Sequence, residues 1–296
     1  MLKINFCNLC GGKTFLSLYH KEVFFDKPWS KFISPTFFPL TLSANLCIKC
    51  GWIFQSPSYD SDEIHRLYNI SPTHYKKLLS KSSGFHSHLR GKQVFDDLKP
   101  WMDLDLYKSV LDVGGSNGEL MDEFIKNGFN ASTIDMCSGK AMRSVKKIRS
   151  PFLQHQNYSY DILVMLHILE HTTSPKAFLS HARSLLNKNG LLYIEVPSEL
   201  LTPILFRHIG DHLHIGYFSR KTLKAFLESS GFDCFSCQLV MGSYSGAPLP
   251  VIRAIARKSE SSRSWRPSRL MVLSTIFEAL HPLPLFARIR ARGLAI

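Results

Sequence analysis

The sequence predicts an α/β protein, a doubly wound and largely parallel sheet preceded by a small lobe organised by cysteines. Three observations lead there. From Ser109 onward, short apolar runs alternate with stretches of helical character. The first of those runs ends in a glycine-rich turn, Gly114-Gly115-Ser116-Asn117-Gly118, with an acid, Asp135, 17 residues beyond it. Two C-x-x-C-G motifs lie before this region, at Cys7/Cys10 and Cys47/Cys50.

The elements follow in order. Val110 to Val113 reads as a buried strand, and Glu119 to Asn127 as a helix closed by Gly128. Ala131 to Asp135 reads as a second strand, Ser138 to Ile148 as a basic helix, and Phe152 to Gln154 as a third strand. Asp161 to Leu166 is entirely apolar after its first residue, as expected of a strand covered on both faces. Pro175 to Leu186 is a helix, Leu191 to Val196 a strand stopped by Pro197, and Ser219 to Ser230 a helix with a serine cap. Strands near 233–240 and 251–257 complete the sheet. Helical stretches around Asp60–Tyr68 and Phe85–Leu98 precede it. The organisation predicted is a lobe over 1–58, a helical linker or cap over 59–108, a catalytic domain over 109–258 and a basic tail over 259–296.

With 45% apolar and 20% charged residues in 296, the chain is not intrinsically disordered, and its core needs no disulfides. No apolar run reaches the ~18–20 residues of a membrane span, and the N-terminus does not read as a signal peptide. A cytoplasmic location is expected. The net charge of +13 is unevenly spread: the segment from Arg253 to Ile296 carries nine basic and two acidic residues. A charge of +7 therefore belongs to these last 44 residues and +6 to the other 252. Leu270, Leu273, Ile276, Phe277 and Leu280 form an apolar helical stripe there. The tail from 268 to 296 is thus a candidate for peripheral contact with an anionic membrane or for packing on protein.

Two residues between cysteines let a tight turn aim both sulfurs at one ion, and the following glycine accepts a positive φ. Cys7, Cys10, Cys47 and Cys50 are therefore read as the four ligands of a closed, structural Zn2+ site, although 36 residues separate the pairs. A third C-x-x-C pair, Cys234 and Cys237, falls in a predicted strand. Positions three apart there face opposite sides, so these two are expected to be packing residues.

In a doubly wound sheet, ligands bind beyond the C-terminal strand ends. A glycine turn followed by a spaced acid marks a nucleoside-containing cofactor. The dinucleotide fingerprint would need a third glycine where Glu119 stands. Asp112-x-Gly114-x-Ser116-x-Gly118 instead resembles the first motif of the class I S-adenosylmethionine-dependent methyltransferases, with Ser116 in place of the middle glycine. The resemblance runs on through Tyr160-Asp161, His167-Ile168-Leu169-Glu170-His171, Leu185 to Leu192, His212-Leu213-His214 and Phe218 to Leu223. Leu46 to Phe54 is similar to the zinc-binding lobe of bacterial methyltransferases, some of which modify sugars or natural products.

The resemblance implies a seven-stranded Rossmann-like sheet with a zinc-ribbon-like lobe. It implies S-adenosylmethionine bound by Asp112, Gly114, Gly115, Ser116 and Gly118, with Asp135 on the ribose hydroxyls, Gln154 near the adenine and His167 bordering the cofactor and acceptor. It places His212 and His214 in the acceptor segment. These two and His167 are the candidate catalytic bases, with His212 favoured. The expected activity is methyl transfer to a small molecule, a sugar or related biosynthetic intermediate. The competing readings are an RNA methyltransferase and a non-catalytic protein that binds S-adenosylmethionine. Nucleic acid is disfavoured as a partner because the charge surplus lies in the tail.

Overall fold

The computed structural model describes residues 3–23, 40–58, 60, 83–136, 140–200, 214–244, 247–260 and 266–280. The first three strands, β1 (Phe15–Val23), β2 (Leu40–Cys47) and β3 (Ile53–Ser56), form an antiparallel meander. Helix α1 (Ser83–Leu98) follows, then β4 (Ser109–Val113), α2 (Asp122–Lys126), β5 (Asn130–Ile134), β6 (Lys146–Ile148) and β7 (Tyr160–Leu166). Next come α3 (Pro175–Leu185), β8 (Leu186–Pro197), the two-residue β9 (Gly216–Tyr217) and α4 (Arg220–Ser229). The long hairpin β10 (Phe232–Tyr244) and β11 (Ala247–Lys258) precedes the last described helix, α5 (Arg269–Ala279).

Seven strands make one sheet in the order β10-β11-β8-β7-β4-β5-β6. The five from β8 to β6 are parallel, and the hairpin adds two antiparallel strands at one edge. This is the seven-stranded α/β sheet expected from the sequence. Central strands β4, β7 and β8 are buried along nearly their whole length, because helices cover both faces. On one face Val94, Phe95 and Leu98 of α1 meet Phe124 and Phe129. On the other, Phe178 and Leu179 of α3 and Leu223, Phe226 and Leu227 of α4 continue into the N-terminal lobe. Ser219 caps α4 by accepting from Thr222 N–H, while the Thr222 hydroxyl receives the Ser219 N–H in return.

The lobe shares its core with the large sheet. Trp52 stacks on Phe54 and meets Phe226 edge-on at 5.1 Å. Each such aromatic contributes about 2–3 kcal/mol by its burial. Strand β9 pairs with β3, so a segment following β8 completes the lobe's four-stranded sheet.

Three sequence expectations need correction. The basic helix over Ser138–Ile148 does not form among its described residues: Lys146–Ile148 is an edge strand, and Ser144 adopts φ 72°, which a helix cannot accommodate. The polar, lysine-rich character that suggested a solvated helix is equally that of a protected sheet edge. Phe152–Gln154 is a single 3₁₀ turn after Pro151, since β6 already holds the edge position. Cys234 and Cys237 pack against the core as expected, but not by simple alternation of sides, because a β-bulge between Cys234 and Ser236 interrupts the strand's period.

Helix α5 forms over the predicted apolar stripe. Its apolar stripe faces outward, with Leu270 69% and Phe277 72% exposed, while Thr275 and Glu278 are buried. Thr275 bonds the cap residue Ser219 at 3.1 Å, and Glu278 accepts from Arg220 N–H at 2.8 Å. The polar residues thus seat the helix on the start of α4. The helix predicted around Asp60–Tyr68 lies outside the described residues apart from Asp60.

Candidate functional site

The C-terminal ends of β4, β5, β7 and β8 converge on one cleft region, as the topology requires. After Val113 the chain turns through Gly114 (φ 73°), Ser116 (φ 50°) and Gly118 (φ 76°). A Cβ on Gly115 would stand 1.9 Å from Asp112 Oδ2 and 2.6 Å from Thr133 Oγ1, so only glycine lets the loop cross the carboxyl group. Ser116 N–H donates to Asp135 Oδ2 at 2.9 Å and ties the loop to the end of β5. Ser116 holds a left-handed conformation that costs a non-glycine residue about 1–2 kcal/mol. Ile168, beside His167, sits where a Gly114 side chain would have to go.

Asp112 is buried; Thr133 Oγ1 donates to its main-chain oxygen at 3.3 Å, while its carboxyl group receives no hydrogen bond from a described residue. Burial raises its pKa to about 8; Arg90 works against that rise and Asp135 adds to it. A buried carboxyl group without a partner, under a loop stripped of side chains, suits a cationic ligand lying along the loop. The positively charged methionine end of S-adenosylmethionine meets that requirement. Of the residues after β6, Gln154 is exposed. Its neighbour His155 is buried, stacked on Tyr158 at 4.4 Å, with Nε2 2.9 Å from the Tyr160 hydroxyl.

On the opposite wall, His167 ends β7 with φ 56° and donates its main-chain N–H to Glu195 O at 2.9 Å. Its ring lies between two buried carboxylates, with Nδ1 3.5 Å from Glu170 Oε1 and Nε2 3.4 Å from Glu195 Oε1. Burial would lower its pKa, but those two carboxylates outweigh it and raise the value. Glu195, 2% exposed, also receives Arg90 Nη2 at 2.5 Å and Arg253 Nη2 at 2.8 Å. Burial alone would raise its pKa; His167 and the two guanidiniums hold it well below the usual carboxylate range. His214 Nδ1 is 2.5 Å from Glu199 Oε2, and its ring meets that of His171 edge-on at 4.6 Å. Burial opposes protonation of His214, yet Glu199 and Glu170 push its pKa up to about 9.

The four cysteines of the lobe also converge. The ligand atoms of Cys7, Cys10, Cys47 and Cys50 all lie within 4.8 Å of one another, and none of the four is in a disulfide. Gly11 (φ 68°) and Gly51 (φ 77°) return their N–H groups to Cys7 O and Cys47 O at 2.8 Å, closing two matching turns. The long spacing between the pairs is taken up by the β1–β2 hairpin, which sets Phe15 opposite Cys47. Four thiols in this arrangement can hold one metal ion with no position left open.

Residues 85–236, just over half of the chain, match the family model described as a methyltransferase domain. The chain belongs to the class I S-adenosylmethionine-dependent methyltransferases. No curated protein matches it. Among solved structures, it is similar to the 1,6-didemethyltoxoflavin-N1-methyltransferase of Burkholderia thailandensis, solved with 1,6-didemethyltoxoflavin and S-adenosylhomocysteine bound. Identity is 16% and the TM-score 0.53, over 72% of this chain and 96% of that one. It is also similar to the [4+2]-cyclase SpnF, at 10% identity and a TM-score of 0.51, over 69% and 98% of the two chains.

Of the residues that sequence reasoning named, Asp112, Gly114, Gly115, Ser116, Gly118 and Asp135 come together around the turn after β4, and Ile168, the neighbour of His167, packs against Gly114. Gln154 stands apart on an exposed turn, His214 is tied to Glu199, and His212 lies outside the described residues. Sequence reasoning missed Glu195 and Arg90. A lone acid in the apolar run Leu191–Val196 was the available signal.

Proposed function

We propose that this protein transfers the methyl group of S-adenosylmethionine to a small, hydroxyl-bearing acceptor, a sugar or related biosynthetic intermediate. The observation that carries the acceptor class is the wall formed by His167, Glu170, His171, His214 and Glu199, which offers imidazoles and carboxylates where an apolar acceptor would want hydrocarbon. The bound small molecule in the toxoflavin-pathway enzyme agrees with an acceptor of that size. In the sequence the basic surplus is concentrated in the last 44 residues, which does not favour RNA.

The cofactor supplies an electrophilic methyl on a sulfonium, so the protein's work is alignment and proton removal. Asp112 balances the positive end of the cofactor, the Gly114–Gly118 backbone packs along it, and Asp135 accepts from the ribose hydroxyls. His167, fixed between Glu170 and Glu195, takes the acceptor's proton. Cys7, Cys10, Cys47 and Cys50 hold a structural Zn2+ that locks the lobe onto α3 and α4. The outward stripe of α5, with Arg266 and Arg269 at its start, docks on an anionic membrane surface.

The similarity to a cyclase keeps a second reading in play, a protein of this fold that transfers no methyl group. Incubation with methyl-labelled S-adenosylmethionine and a panel of nucleotide-activated sugars, free sugars and transfer RNA separates the readings. Label in a sugar acceptor, with release of S-adenosylhomocysteine, is expected. Label in RNA alone, or in nothing while the cofactor binds, contradicts the proposal.

A further inference from the structure

Glu170 is fully buried, at 0% exposure, and neither of its carboxylate oxygens receives a hydrogen bond among the described residues. The nearest donors stand back, His167 Nδ1 at 3.5 Å and His171 Nε2 at 3.8 Å. A buried carboxylate normally collects several hydrogen bonds or a close cation. Glu170, His171 and His214 each offer one ligand atom, and those atoms lie within 4.8 Å of one another. Two imidazoles and a carboxylate at that mutual distance surround the position of one ion, since bonds of about 2.0–2.2 Å would draw them together by only tenths of an ångström.

The group is also braced as ligands are. Glu170 and His171 sit on the 3₁₀ turn Leu169–His171 at the end of β7. Ile215 N–H donates to Glu170 O at 2.8 Å, which fixes the His214 segment against that turn. His214 Nδ1 is anchored by Glu199 Oε2 at 2.5 Å, which fixes the direction of its ring. A second-sphere carboxylate on the far nitrogen is the usual way a ligating histidine is oriented. An ion bound there takes the place of an imidazole proton.

We infer that Glu170, His171 and His214 form a second metal site, distinct from the cysteine cluster, which binds a divalent transition metal in the acceptor wall. Nitrogen-rich ligation without thiolate suits manganese, iron, cobalt, nickel or zinc better than magnesium or calcium. Three protein ligands leave positions open, and an acceptor with adjacent hydroxyls can fill them. The ion would orient the acceptor and make its hydroxyl more acidic. That role rests on the methyltransferase reading; the binding itself does not.

Manganese titration of the full chain loaded with one equivalent of zinc, enough for the cysteine cluster alone, followed by loss of the free-ion electron paramagnetic resonance signal, tests the site. Four thiolates are a poor home for manganese, so the cysteine cluster stays silent. Saturable binding of about one ion per chain is expected, weakened at least about 10-fold in His171→Ala and in His214→Ala, with melting temperature and S-adenosylmethionine affinity unchanged. Should either variant fail to fold, Glu199→Gln, which removes the carboxylate 2.5 Å from His214 Nδ1, is expected to weaken binding by about 10-fold. No saturable binding at millimolar manganese, or undiminished binding in the folded variants, overturns the inference. Manganese binding without cofactor binding supports the metal site and removes the methyltransferase reading; the converse does the opposite.

Discussion

Ser116 N–H points at Asp135 Oδ2 across 2.9 Å, joining the glycine loop after β4 to the end of β5 through one charge-assisted hydrogen bond. The bond orients the carboxylate that is proposed to hold the ribose. Replacing Asp135 by Ala removes both functions. Cofactor affinity measured by calorimetry is expected to fall by about 10- to 100-fold, the worth of one or two bonds to a charged group. An unchanged affinity would move the ribose site elsewhere.

Asp112 yields a pH signature. Its native pKa of about 8 lies above its ordinary 3.8, so the folded chain without cofactor holds this proton more tightly than the unfolded chain does. The resulting stabilisation is complete below about pH 4 and is lost as pH rises through about 8. Asp112→Asn removes this dependence. Its melting temperature should exceed the wild type's by at least about 2 °C at pH 8, with the gap widening between pH 4 and 8. Melting curves in which the gap narrows over that range would contradict the assignment.

Glu195 is a buried acid of the opposite kind. It is ionised and paired with Arg90, Arg253 and His167, so Glu195→Gln leaves two guanidiniums short of a partner. The expected cost is about 3–5 kcal/mol, read as a lower midpoint in denaturant unfolding. A loss below about 1 kcal/mol would show that Asp97, which also receives Arg253, carries the network.

The cysteine cluster should contain about one zinc per chain by elemental analysis. Cys50→Ser is expected to lose that metal and to lower the melting temperature by roughly 10 °C, because the lobe shares its aromatic core with α4. Full stability without zinc would reduce the cluster to packed thiols.

The exposed stripe of α5 can be altered without touching its buried polar side. Leu270→Ser combined with Phe277→Ser should leave the melting temperature unchanged and reduce co-sedimentation with anionic vesicles, each side chain forfeiting about 2 kcal/mol of apolar burial. Equal, negligible sedimentation of both proteins would set the membrane proposal aside.

Much of this was legible in the sequence where a local pattern met a local constraint. The central strands declared themselves because strands buried on both faces must be continuously apolar. The glycine turn and Asp135 declared the loop, and paired C-x-x-C-G motifs the cysteine cluster. What stayed hidden depends on partners distant in the chain. Glu195 is held by residues 105 and 58 positions away, so its run of neighbours said only strand. Lys146–Ile148 carries charges that suit an edge strand as well as a helix. In α5 the apolar spacing showed the stripe but not which side seats the helix, because Thr275 and Glu278 find their partners at the start of α4. The bulge near Cys234 has no marker in the sequence.

The claim on which the rest depends is that the Gly114–Gly118 loop and Asp135 hold S-adenosylmethionine. Isothermal titration of the full chain with S-adenosylmethionine addresses it directly. Saturable binding at about one molecule per chain with a micromolar Kd is expected, and it should be lost in Asp135→Ala. A well-folded wild-type protein that takes up no S-adenosylmethionine would contradict the account.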